Sequence, residues 1–343
     1  MRSSDRAPHR FRRWIIPLAG IVSVGILVGF GNVQSLRSGA DSPKNEWWFS
    51  PDSVWSAPDI TLVDSLGLGA EILYGRELIA HTAEYFGPMG ILGHTSNGMN
   101  CQNCHLDAGT RPWGNNYSAV FSMYPKFRER SGTVESIAKR VNDCFVRSLN
   151  GLLLDTNSRE MRAILAYIQW LGQGVPKGVK PVGAGIEDIP YLSRAANPLT
   201  GKKIFNSKCA VCHQNNGQGL KMPGNPASYL YPPLWGKSSY SVGAGLYRLS
   251  RFAGYVKNNM PLGATKELPQ LTNEESWDVA AFVNSNPRPT MDTRPDFRDS
   301  TRKPVDYPFG PYADGFSERQ HKFGPFAPIV AKRQEQQTRP PNK

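Results

Sequence analysis

The sequence predicts an all-α chain built from two similar domains in tandem, and three observations carry that reading. The pattern Cys-x-x-Cys-His occurs twice, as Cys101-Gln-Asn-Cys104-His105 and Cys209-Ala-Val-Cys212-His213, more than a hundred positions apart. Each copy follows a short stretch of helical periodicity and is closed by an amphipathic segment that opens on a capping signal. The 33 glycines and 28 prolines mark long loops between these segments.

The elements follow in chain order. Arg10, Arg12 and Arg13 precede an uncharged, largely apolar stretch over 14–30. A basic flank before an apolar run reads as a signal peptide or membrane anchor over 1–37, and hence an exported, periplasmic chain. Ser38-Gly39-Ala40 is the best cleavage candidate. The first domain spans 38–174. In it Ile72, Gly75, Ile79, Ala83 and Phe86 recur at helical spacing before the first motif. Its closing helix is predicted from about Asn157, an N-cap with Glu160 three residues on. Met161, Ile164, Leu165, Ile168 and Leu171 form the apolar stripe, and Gly172 and Gly174 end it. Residues 175–194, rich in Gly, Pro and Val, read as a linker. The second domain, 195–290, opens a short helix at Gly201–Phe205. It closes with a capping box at Thr272 and Glu275, followed by Trp277, Ala280, Ala281 and Val283 to about Ser285. The remainder, 291–343, is Pro-rich without periodicity and is expected to be an irregular tail wrapped over the surface.

At 343 residues and 39% hydrophobic content the chain can bury two modest cores. Its net charge of +12 favours anionic partners, whether an oxyanion substrate, an acidic protein surface or anionic lipid. No basic helix, zinc-finger spacing or aromatic-basic interleaving points to nucleic acid.

Cys-x-x-Cys-His attaches a c-type haem through two thioethers, with the histidine on the iron. Zinc sites of the ribbon type place their cysteine pairs about 15–20 residues apart, far closer than these. Two covalently attached haem c groups follow, held by Cys101, Cys104 and His105 and by Cys209, Cys212 and His213. For the second iron, Met260 lies 47 positions after His213, just before the closing helix, where a distal methionine is expected. Met222, nine positions past His213, competes with it. For the first iron the candidates are Cys144, Met123, Met89, Met99, His81 and His94. Cys144, the one cysteine outside the motifs, lies 39 positions after His105 and matches Met260 in place. It stands in a basic segment with Arg130, Arg140, Arg147 and Ser148. If the stretch from Thr133 is helical, Arg140 and Cys144 share a face and Ser148 continues it. Two guanidinium groups beside a thiolate make an anion site with forked donors suited to oxyanions.

At these residues the chain resembles the diheme thiosulfate dehydrogenases, cytochromes c that interconvert thiosulfate and tetrathionate. The resemblance covers both haem domains and is most specific from Arg130 to Gly151. It implies His105/Cys144 ligation of the first haem and His213/Met260 ligation of the second, with Arg130, Arg140 and Ser148 at the substrate. In some relatives a lysine directly before the distal methionine competes for the iron. Here that position is Asn259, with Lys257 nearby. The expected activity is oxidative coupling of two thiosulfates to tetrathionate, with electrons passed to an external acceptor such as a cytochrome c. Cys144 then either takes up a sulfane sulfur transiently or leaves the iron as substrate arrives. Rival readings are tetrathionate reduction in the cell, a diheme electron carrier without chemistry of its own, or a subunit of the Sox sulfur-oxidation system.

Overall fold

The computed structural model describes residues 49–65 and 67–338. The expected signal or anchor segment over 1–37 lies outside the described residues. A short 3₁₀ turn (Ile60–Ser65) leads into α1 (Gly69–Ala80), which breaks at His81 and restarts as α2 (Thr82–Phe86). After the first motif come two short turns, α3 (Leu106–Gly109) and α4 (Val120–Met123), then a hairpin of β1 (Lys126–Arg128) and β2 (Thr133–Glu135). The helices α5 (Ile137–Arg147) and α6 (Arg159–Gly172) complete the first domain. The second contains α7 (Pro198–Lys208), α8 (Ala210–His213), the hairpin β3 (Leu220–Met222) and β4 (Asn225–Tyr231), α9 (Leu249–Asn259) and α10 (Asn273–Ser285).

The same crossing holds both domains. In the first, α1 packs across α6 at Gly75, where an added Cβ would lie 1.9 Å from the Ala163 carbonyl oxygen and 2.9 Å from Tyr167 Cβ. In the second, α7 packs across α10 at Gly201, and an added Cβ would lie 1.9 Å from the Asp278 oxygen and 2.9 Å from Phe282 Cβ. Only glycine lets two backbones approach this closely, so the spacing of each core is fixed at one residue. Around the first crossing lie Leu78, Ile79, Ile164, Ile168 and Leu171; around the second, Phe205, Trp277, Val279 and Ala280, all buried.

Sequence expectations hold at some of these elements and change at others. Helix α6 is capped by Ser158, whose hydroxyl accepts from Met161 N, rather than by Asn157. The capping box at Thr272 and Glu275 forms as expected. The stretch from Thr133 is not helical at once: Thr133–Glu135 pairs with β1, and Ser136 caps α5 through Lys139 N. The fold is therefore mainly, not wholly, helical.

The expected irregular tail is irregular only in part over its described residues, 291–338. It carries α11 (Glu318–Phe323) and α12 (Ala327–Thr338), and Ile329 and His321 are fully buried. His321 is held by the Val305 carbonyl at 2.8 Å and Asp314 at 3.0 Å. Prolines masked this: they delimit short helices here rather than preventing them.

Candidate active site

Each motif histidine is oriented by a backbone carbonyl. His105 Nδ1 lies 2.5 Å from the Asn115 oxygen, and His213 Nδ1 lies 2.9 Å from the Pro232 oxygen. A carbonyl can only accept, so Nδ1 carries the hydrogen and Nε2 keeps its lone pair for a metal. Burial brings His105 down to about 4 and lowers His213 as well, so both rings are neutral at physiological pH. The loop that positions His105 is itself anchored, because Asn115 N donates to Gly185 O of the 175–194 segment at 2.8 Å. His105 also stacks on Tyr117 with ring centroids 4.5 Å apart.

A cavity of about 580 Å³ opens beside Cys209, Cys212 and His213, lined by Phe252, Val256, Val279 and Val283 among others. Both Met222 and Met260 reach its wall, and so does Cys104 of the first motif. Tyr255 OH ties the two halves together by donating to Asn103 O at 3.0 Å. Cysteines, a free imidazole nitrogen and an apolar chamber are the donor set and shape a covalently attached haem requires. Lys257 is committed elsewhere: its amine caps the Leu271 carbonyl. Asn259 Nδ2 donates to Trp113 O at 3.1 Å and Tyr255 O at 2.9 Å.

At the first motif the structure brings Cys144 and Arg140 together. Helix α5 sets them four residues apart on one face, with Arg140 Nη1 3.1 Å from Cys144 Sγ. That sulfur holds the Arg140 guanidinium above its ordinary range. Cys144 also lies within electrostatic reach of Cys101 and Cys104. The helix is pinned by a reciprocal pair: Asn142 Nδ2 to Leu154 O at 2.9 Å and Leu154 N to Asn142 Oδ1 at 2.8 Å. Ser148 is the C-cap, with its amide bonded to Cys144 O at 2.8 Å. Of the other candidates for the first iron, Met89 and His94 are exposed, Met99 is buried in the core, and His81 sits between Glu77 and Glu84.

Arg130 reaches the same region from the turn of the β1–β2 hairpin. Burial, then the neighbouring Arg147, bring it down to about 10, which still leaves a cation at neutral pH. Its Nε is buried without an acceptor. Nearby, the buried Tyr124 hydroxyl also has no partner and feels both Arg140 and Cys144. Buried donors without acceptors are uncommon and mark places where a ligand or water belongs.

Sequence reading did not find the carboxylate of this site. Asp296, from beyond the second domain, forks Arg147 at 2.7 and 2.6 Å and accepts from Tyr307 OH at 2.9 Å. Burial would lower Arg147, but the fork outweighs it and raises the guanidinium above its usual range. No signal near Arg147 in sequence could have announced a partner 149 positions away.

Comparison with known proteins supports both halves. The family profile described as the SoxA/TsdA cytochrome c domain matches residues 93–176, and that described as cytochrome c matches residues 199–287. The chain is 33% identical over 270 residues to the thiosulfate dehydrogenase of Stutzerimonas stutzeri, covering 79% of this chain and 82% of that one. It is 35% identical over 244 residues to that of Allochromatium vinosum, covering 70% and 86%. A solved structure of thiosulfate dehydrogenase TsdBA from Marichromatium purpuratum, in its as-isolated form, superposes with a TM-score of 0.63 at 31% identity. It covers 69% of this chain, which spans half of that chain's length. Two cytochrome c domains of this kind carry two covalently bound haem c groups.

Proposed function

The chain belongs to the thiosulfate dehydrogenase family, and from that membership we propose that its first domain couples two thiosulfates to tetrathionate while its second passes the electrons outward. Two thiosulfate dianions form one sulfur–sulfur bond between their sulfane sulfurs and release two electrons. The tetrathionate dianion leaves, and two one-electron oxidants take up what is released.

The two haem c groups, when bound, supply one-electron storage at each end of the path. Everything else falls to side chains of this chain. Two dianions repel, and Coulomb energy at close range must be offset by fixed positive charge. Arg140 and Arg130 supply it, with forked donors that match the oxyanion end of thiosulfate. The Tyr124 hydroxyl is a further donor in reach of the same space. Oxyanion ends held there direct the sulfane sulfurs toward Cys144, turning a slow collision into an oriented one. His105 and Cys144 would hold the iron of the first haem, and His213 and Met260 that of the second. A thiolate from Cys144 would favour a low potential at the first site and a thioether from Met260 a high one at the second, an order that would suit electron flow from the first domain to the second. Cys104, which belongs to the first motif, lines the cavity beside the second.

The observation that carries this reading is the 3.1 Å contact between Arg140 and Cys144 beside the first motif. The test is turnover of purified holoprotein with thiosulfate and ferricyanide. Cys144→Gly is expected to lower kcat by a factor on the order of 1,000, the scale of losing a group that acts on the reacting atoms. It should also abolish the thiolate-type low-spin EPR signal. Unchanged activity and spectrum would falsify the assignment. The basic and apolar residues of 1–37 support export, with a cytochrome c or similar protein as electron acceptor. Among the described residues no helix is long and apolar enough to cross a membrane.

A further inference from the structure

We propose that Asp296, carried in by the C-terminal segment, divides the work between two buried arginines, immobilising Arg147 and leaving Arg130, with its Nε lacking an acceptor, for a substrate oxyanion. This rests on Arg130 being a substrate group.

Arg130 and Arg147 are like charges in one buried place, and each sends an Nη1 to the same Gly243 carbonyl at 3.4 Å. Asp296, 4% exposed, is the acid the structure gives to both, but it does not share itself evenly. Both its oxygens lie at 2.6–2.7 Å from Arg147, whereas Arg130 Nε stays 3.9 Å from Oδ2. Oδ2 already accepts from Arg147 and from Tyr307 OH, so its lone pairs are taken before Arg130 arrives. The same segment still fixes where Arg130 stands without occupying its N–H donors. Phe297 N donates to Arg130 O at 2.8 Å, and the Phe297 ring lies 5.9 Å from the guanidinium carbon.

Gly243 closes the arrangement. An added Cβ there would lie 2.4 Å from Met291 Sδ and 3.1 Å from Arg147 Nη1, so hairpin turn, α5, second domain and C-terminal segment meet around a residue without a side chain. Asp296 is thus a positioning residue: it acts on substrate only through the arginines.

The proposal predicts opposite signs for two charge-removing variants, measured on holoprotein with thiosulfate and ferricyanide. Asp296→Asn releases Arg147 to compete for the dianion, so KM falls by roughly fivefold, the scale of one partly screened charge, while kcat drops because binding is misplaced. Arg147→Gln frees Asp296 to pair with Arg130, so KM rises by roughly fivefold. A merely structural plug would damage both alike, lowering the unfolding midpoint and active fraction with KM unchanged. KM moving in one direction for both, or in neither, overturns the proposal. Arg130→Gln run in parallel separates the two levels. If it raises KM and the paired variants fail to diverge, only the role of Asp296 is lost. If it leaves KM unchanged, the substrate reading of Arg130 fails first. Should Asp296→Asn yield no folded holoprotein, the sign for Arg147→Gln alone decides.

Discussion

The two haem-binding halves share a frame and differ in what they bury around it. Each crosses its first and last helices at a glycine that meets a carbonyl, and each turns its motif histidine with a backbone oxygen. The second half surrounds its cavity with Phe252, Val256, Val279 and Val283 and offers methionine. The first sets Arg140 of α5 against a lone thiol, and it carries Arg130 and Arg147, which meet Asp296 of the C-terminal segment. An apolar surround suits a group that only gains and loses an electron. A charged one costs more to bury and is warranted where anions must be held together. On the proposed function, one frame would serve transfer in one half and chemistry in the other.

The contrast is tested most sharply at Cys144 and Met260, the residues that would complete each iron site. The loss at Cys144 should have no counterpart at Met260. Met260→His is expected to leave the KM for thiosulfate unchanged and to lower the potential of the second haem, seen in a redox titration, with turnover slowed by roughly tenfold. A change in KM would mean that the second domain also shapes the substrate site.

The shared frame is tested at the two glycines. Gly75→Ala and Gly201→Ala should each destabilise by about 2–3 kcal/mol, because each forces apart a backbone contact that cannot yield by a rotamer change. Thermal unfolding of the holoprotein should show similar losses from the two. A large asymmetry would show that the crossings are alike in shape but not in energetic weight. The smallest effect lies at the caps. Ser158→Ala and Thr272→Ala should each cost about 1 kcal/mol, and Thr272 more, because Glu275 Oε2 also accepts from Thr272 N and the reciprocal box is lost. Denaturant midpoints of the two variants decide the order.

Much of this was legible in the chain because its signals are local. A five-residue motif specifies attachment and one ligand without any knowledge of packing, and Arg140 with Cys144 needs only the helical repeat. The cap of α6 moved by one residue because Asn157 and Ser158 are both good caps, and only backbone geometry chooses between them. The hairpin before α5 was missed because three-residue strands carry too few side chains for an alternation to register. In the last segment, proline frequency concealed two helices whose buried faces contribute just a few residues each.

The sequence by itself determined the chemistry of the attachment sites, the tandem order, the closing helices and the thiol paired with Arg140. All of these depend on residues within a turn or two of one another. Tertiary structure alone decided that Asp296 is the counter-ion of Arg147, that Gly243 lies against Met291 and Arg147, and that Cys104 looks into the second cavity. These pairings join positions far apart in the chain. Charge balance in a buried space is set by which groups the fold brings within a few ångströms, and no local pattern encodes that.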